Sequence, residues 1–287
     1  MSATRTVLEH DWLGASRAAT AGLREILHAA DGQAERVAET GTRGGGGDRT
    51  LVLDADAETV VFAQLDALHE QGARFTAVSE ERGEIDYGTG GEPPLVIIDP
   101  IDGSTNAKRG LPHHALSIAV ADGPSMRDVA FAYVYDYGPG EEWHAVRGGG
   151  AFLDGAALTA PPAERHAADG RLELVAIESA RPEYLAPAVP ALSAHVHRMR
   201  AIGAIAVSLC QLAQTRVDGM VALWRCRAVD AAAGQLIVRE SGGLVAFSVD
   251  PEVDPLAAPL ADLDARLYLV AARTPESLAR LQEVPVP

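Results

Sequence analysis

The chain has 287 residues and carries 40 acidic against 24 basic side chains, a formal net charge of −16. A chain this acidic suits nucleic acid poorly, because phosphate backbones call for clustered Lys and Arg that release counterions; a small phosphorylated metabolite remains admissible as a partner if a cation mediates. The length suffices for one large domain or two moderate ones, and Cys210 and Cys226 form neither a Cys-x-x-Cys pair nor a disulfide framework.

No apolar signal core opens the chain and no run nears the roughly 18 apolar residues of a membrane span, so a cytoplasmic protein without a membrane partner is expected. Among the basic residues there is one lysine, Lys108, which reads as composition bias.

In chain order, Trp12, Ala15, Ala19, Leu23, Ile26 and Leu27 fall at helical spacing and predict an amphipathic helix, loosened at Gly32. Gly44 to Gly47 predicts a mobile loop and lacks the Gly-Lys-Ser/Thr ending of a P-loop. Leu51-Val52-Leu53 predicts a short strand ending at Asp54, followed by a helix through Glu58, Val61, Phe62, Leu65 and Leu68. Phe75 to Ser79 leads into Glu80-Glu81, and Leu95 to Ile98 reads as a buried strand that empties into Asp99.

The stretches Leu116 to Ala121, Val129 to Tyr135 and Trp143 to Arg147, punctuated by Gly148 to Gly150 and Asp154-Gly155, predict an antiparallel meander. A polar, proline-bearing segment from Ala160 to Gly170 sets the expected boundary between an N-terminal lobe, 1–160, and a C-terminal lobe, 161–287. Beyond it strands at Leu172 to Ile177, Met199 to Ile202, Met220 to Leu223 and Leu267 to Ala271 alternate with helices near Glu183, over Ala204 to Gln214 and over Asp230 to Glu240. Thr274 and Pro275 fit the cap and first position of a last helix.

The chemistry concentrates in Asp99-Pro100-Ile101-Asp102-Gly103-Ser104-Thr105-Asn106. A buried strand ending in acid is costly without a cation, and Gly103 permits a tight turn into a helix start whose N–H groups suit a phosphate oxygen. Taken alone, Asp230 reads as a helix N-cap rather than a ligand, and Glu80-Glu81 as a solvated surface pair. Gathered at about 4 Å in an effective dielectric of about 20, two carboxylates repel by roughly 4 kcal/mol. Such a set demands raised pKa values or divalent cations, and oxygen ligands favour Mg²⁺ or Mn²⁺ over zinc. His113-His114, following Pro112, reads as a structural pair rather than a metal site.

Val78-Ser79-Glu80-Glu81, the Asp99 to Asn106 segment, Val229-Asp230-Ala231-Ala232-Ala233-Gly234 and Glu240-Ser241-Gly242-Gly243 together resemble the inositol monophosphatase family, which includes archaeal-type fructose-1,6-bisphosphatases. The resemblance implies an α/β (α+β) fold, a layered αβαβα sandwich of the sugar phosphatase type in two lobes, and a homodimer. It implies a phosphomonoesterase acting on a cyclitol or sugar phosphate with two or three Mg²⁺ ions, Mn²⁺ substituting. Glu80, Asp99, the Ile101 carbonyl, Asp102 and Asp230 would hold metal; Asp54, Glu80 and Ser104 would serve catalysis. Gly103, Ser104, Thr105, Gly203, Ala204 and Ile205 would meet substrate.

Some residues depart from the inositol-specific pattern. Val229 stands where many relatives have tryptophan, and Leu223 where inositol-specific members place a glutamate; a leucine cannot accept a ring hydroxyl's hydrogen bond. Arg225 and Arg227 are candidates for a second phosphate, which keeps fructose-1,6-bisphosphatase as the alternative. A non-catalytic, metal-tuned binding protein is the reading from another class.

Overall fold

The computed structural model describes residues 8–29, 39–43, 49–158, 164–250 and 252–286. The expectations at Gly32, at Gly44 to Gly47 and over the start of the proline-bearing connection lie outside the described residues.

The elements are α1 (Trp12–Ala29), β1 (Glu39–Arg43), β2 (Arg49–Leu51), α2 (Val52–Glu70), β3 (Thr76–Ser79), β4 (Gly83–Asp86), β5 (Leu95–Asp102), α3 (Ser104–Arg109), β6 (Ala115–Ala121), β7 (Val129–Asp136), β8 (Glu141–Val146), β9 (Gly150–Leu153) and β10 (Ala156–Ala157). There follow β11 (Leu172–Glu178), α4 (Pro182–His195), β12 (Val196–Arg200), α5 (Ile205–Ala213), β13 (Gly219–Ala222), α6 (Ala228–Glu240), β14 (Leu244–Ala246), β15 (Val270–Ala272) and α7 (Pro275–Gln282).

Eight strands pair in the order β10-β9-β8-β7-β6-β5-β3-β4, and five in the order β12-β11-β13-β15-β14. The run from β6 to β8 is the antiparallel meander expected, extended by β5 on one side and by β9 and β10 on the other, whereas β3 joins β5 in parallel. In the smaller sheet β11 pairs in parallel with both β12 and β13.

Side-chain alternation along β5 explains the layering. Val96 and Ile98 pack with Trp12, Leu23, Phe62 and Leu65 of α1 and α2, while Leu95 and Ile97 pack with Val207, Leu209 and Ile237 of α5 and α6. A strand covered on both faces has no polar side, hence its unbroken apolar run. The α5/α6 layer also buries Ala176 and Met220 of the smaller sheet, whose other face, Val175 and Val221, meets Leu192 of α4 and Leu281 of α7. The order is therefore α1/α2, eight strands, α5/α6, five strands, α4/α7, the αβαβα sandwich anticipated.

Differences from the expectations are local. Val52 and Leu53 belong to α2, so Asp54 sits in a helix's first turn rather than at a strand end; an apolar triplet does not distinguish the two periods, and an acid is favoured there by the helix dipole. The helix α6 opens at Ala228, which puts Asp230 at its third position rather than at its cap. The last strand begins at Val270, with Leu267 held only by a bridge to Cys226.

Candidate active site

On β5 the residues Leu95, Ile97 and Asp99 share the face toward α5 and α6. Asp99 lies opposite Ser117 and Asp102 opposite Ala115, so three steps on β5 match two on β6. This β-bulge reverses the parity that a spacing of three would give and returns Asp102 to the face it would otherwise leave. Pro100 suits the irregularity because it has no N–H to lose from the ladder, and the Ile101 N–H donates to Asp99 Oδ1 at 3.0 Å.

Gly103 follows with φ 80°, and a Cβ there would lie 2.9 Å from the His113 carbonyl and 3.0 Å from the Gly203 carbonyl. Only glycine lets the start of α3 approach the Gly203 loop so closely. Asn106 stitches the same contact, its Nδ2 donating to the carbonyls of His113 and Ile202 at 2.9 and 2.8 Å. His113 pairs with Asp136 at 2.8 Å and His114 stacks on Tyr137.

Two cavities meet at this point. The smaller, about 290 Å³, is lined by Asp54, Glu80, Glu81, Asp99, Pro100, Ile101, Ser104 and Lys108. The larger, about 640 Å³, shares Glu80, Asp99, Ile101 and Ser104 with it, and adds Asp102, Gly103, Thr105, Gly203, Ile205, Arg227 and Asp230 among its walls. Of the residues singled out in the sequence, Ala204 is buried against Gly103 instead. Arg225 turns away, into a separate cavity beside Phe247 and Tyr268.

Carboxylate oxygens of Glu80, Asp99 and Asp230 lie within 4.8 Å of one another. They arrive from three places: the turn after β3, the end of β5 and the first turn of α6. Burial first, then Glu80, Asp102 and Asp230, pushes the Asp99 carboxyl well above the usual range. Asp230 is pushed up to about 6, chiefly by burial, against the lowering effect of Arg227. Three oxygen donors that resist joint ionisation fit a hard divalent cation.

Arg227 already supplies one positive charge. Its guanidinium is 2.6 Å from Glu80 and 3.9 Å from Asp230, and the Arg227 N–H donates to Asp230 Oδ2 at 2.7 Å. Asp102 is engaged differently: its two oxygens accept the N–H groups of Ile205 (3.1 Å) and Ala206 (2.7 Å) at the start of α5. It therefore ties the end of β5 to the start of α5 as well as facing the cleft.

The model of the inositol monophosphatase family matches residues 8–282. The chain belongs to the inositol monophosphatase family. It is 29% identical over 238 residues to a fructose-1,6-bisphosphatase/inositol-1-monophosphatase of Methanothermobacter thermautotrophicus, covering 80% of each chain. To Nus factor SuhB of Escherichia coli it is 33% identical over 204 residues, covering 70% of this chain and 72% of that one. Among solved structures, a Pyrococcus horikoshii protein described as similar to inositol-1 monophosphatase superposes with a TM-score of 0.73 at 23% identity, over 96% of this chain and 98% of that one. That likeness establishes the fold.

As a member of this phosphatase family, the chain holds its site with two acids the sequence reading passed over. Glu58, buried in α2, accepts from the Ser79 hydroxyl, from the N–H groups of Glu81 (3.2 Å) and Arg82 (3.3 Å), and pairs with the Arg82 guanidinium at 3.1 Å. It fixes the turn that carries Glu80. Glu178, buried at the end of β11, accepts from Gly203 N at 3.0 Å and the Ser208 hydroxyl at 2.5 Å, and so fixes the Gly203 loop. Each left a signal: Glu58 is an acid within an apolar helical stripe, and Glu178 ends a buried strand as Asp99 does. Glu240, from the last motif, accepts the Gly148 and Gly150 N–H groups at 3.0 Å and pins α6 to the β8-β9 turn.

Proposed function

We propose that the chain is a divalent-cation-dependent phosphomonoesterase that hydrolyses a cyclitol or sugar phosphate. The observation that carries this reading is the meeting of Glu80, Asp99 and Asp230 oxygens within 4.8 Å at the edge of a cavity that also reaches Ser104 and Asp54. Glu80, Asp99, Asp102, Asp230 and the Ile101 carbonyl would hold Mg²⁺ or Mn²⁺. When bound, the ions supply a low-pKa water and neutralise charge that develops on the phosphoryl and leaving oxygens.

The protein's own part is positioning. Asp54 and Ser104, which both line the smaller cavity, orient the attacking water through their oxygens, and the Asp54 carboxylate takes up its proton. Gly103, Ser104 and Thr105 offer backbone N–H groups and hydroxyls to the phosphate at the start of α3. Water attacks phosphorus in line with the departing oxygen, the P–O bond to the alcohol breaks, and inorganic phosphate and the alcohol leave. Gly203 and Ile205 border the alcohol on the side of the smaller sheet.

A second reading, fructose-1,6-bisphosphatase, is favoured by Leu223, which is fully buried and offers no hydrogen bond to a ring hydroxyl, and by Arg181 and Arg227 in the larger cavity. The test is phosphate release from inositol monophosphate, fructose 1,6-bisphosphate, histidinol phosphate and nucleotide monophosphates, with Mg²⁺ and with chelator. Cation-dependent release from at least one substrate is expected. A folded, Mg²⁺-saturated protein inert toward all of them would overturn the enzymatic reading in favour of a binding protein.

A further inference from the structure

We propose that Lys108 is the anion-binding residue of the smaller cavity and contacts the substrate's phosphate, an inference that rests on the phosphatase reading above. The chain writes almost every basic position as arginine, with one lysine among 24 Lys and Arg. That lysine lies at the site: it lines the 290 Å³ cavity with Asp54, Glu80, Glu81, Asp99 and Ser104. Among the described residues lining that cavity it is the single cation, facing four carboxylates.

Ser104 and Lys108 are four residues apart on α3, the spacing that brings side chains to one helix face. A phosphate seated against Ser104 is therefore within the sweep of the Lys108 ammonium. The other cations of the cleft are placed differently: Arg227 is occupied by Glu80 at 2.6 Å, and Arg181 lines only the larger cavity. Lys108 forms no ion pair with any described carboxylate, although the acids around it would attract one. Its charge is thus available to a ligand. A compact ammonium suits so small a cavity, whereas the planar guanidinium fork needs a wider seat.

The lone lysine also makes the test selective. An acylating reagent has two aliphatic amines to attack, Lys108 and the chain's α-amine, and peptide mass mapping separates them. With Mg²⁺ present, saturating inorganic phosphate is expected to slow acylation of Lys108 about 10-fold or more while leaving the α-amine rate unchanged. Calorimetry with inorganic phosphate and Mg²⁺ should show Lys108→Gln weakening phosphate binding about 10- to 100-fold, the worth of a hydrogen bond to a charged group. Lys108→Arg should recover only part of that loss, and Lys108→Gln should bind Mg²⁺ no more weakly than the wild type, since a cation beside the same carboxylates has been removed. Equal phosphate affinity in wild type and Lys108→Gln, undiminished acylation under saturating phosphate, or loss of Mg²⁺ binding in the variant would each overturn the assignment. If phosphate binds neither protein in Mg²⁺, the phosphatase reading falls, and this proposal with it.

Discussion

The wall of the cleft built on the eight-stranded sheet and the wall built on the five-stranded sheet differ in what they present. The first brings Asp54, Glu80, Glu81, Asp99 and Asp102, an excess of negative charge at the ends of α2, β3 and β5. The second brings Arg181 and a loop from Ile202 to Ile205 whose backbone is held by Glu178, completed by Asp230 and Arg227 at the start of α6, the layer between the two sheets. On the function proposed above, the acids of one wall would gather cations and activate water, and the mixed, loop-built wall would meet the variable part of the substrate. The division suggests that substitutions on the first wall strike turnover, whereas those on the second shift affinity and selectivity.

The largest expected effect tests the one acid that crosses this division. Asp99→Asn and Asp230→Asn should each lower kcat by about 10³-fold or more, as losses of transition-state charge stabilisation do, with circular dichroism unchanged. If Asp230→Asn retains near wild-type turnover at saturating Mg²⁺ while Asp99→Asn does not, the second wall has no part in the chemistry. Ser104→Ala should reduce kcat by about 10²-fold with KM little altered, the range of a misplaced general acid–base partner. A variant with full kcat and raised KM would make Ser104 a binding residue only.

Arg227→Gln is expected to act in the opposite direction on one quantity. The guanidinium on Glu80 and a divalent cation draw on the same carboxylates, so the neutral variant should bind Mg²⁺ about 10-fold more tightly in the absence of substrate. Weaker binding would mean that Arg227 holds Glu80 in place rather than competing for it.

The smallest effect concerns pH. With its carboxyl pushed up to about 6, Asp230 is protonated below that pH and must release a proton to hold a cation, so Mg²⁺ affinity should fall as pH drops through about 6. The sign for stability is the reverse. The folded chain binds more protons than the unfolded one between about 4, the ordinary Asp value, and about 6. In chelator, thermal stability should therefore rise as pH falls across that window. Asp230→Asn should flatten the slope, and an unchanged slope in that variant would assign the titration elsewhere.

Strands such as β5 and β7 were legible because they are covered on both faces and read as apolar runs, and the meander because its turns are written in glycine, whereas the layering followed only from the family resemblance. Asp99 was legible for the same reason: an acid closing an apolar strand is conspicuous. Short elements were not legible. The strand β4 is mostly exposed and shows no alternation, and β14 has only three residues. Leu51-Val52-Leu53 satisfied a strand pattern although the helix had already begun. Glu58 and Glu178 were hidden for a different reason: their work is hydrogen bonding to backbone in another element, and no local spacing encodes a partner twenty or more residues away. Lys108 read as composition bias because, until its place in space is known, a rare residue type is only a number.

The bulge in β5 has a consequence for how this chain tolerates change. The two aspartates look into one cleft because the strand holds one more peptide unit than its neighbour, so their alignment depends on a count of residues rather than on the identity of Pro100 or Ile101. Exchanging either side chain for another would keep that tally. Deleting a single residue between the two acids would erase the bulge yet leave them two apart, the spacing an unbulged strand also keeps on one face, so what the cleft would lose is the bend that the extra unit gives the strand.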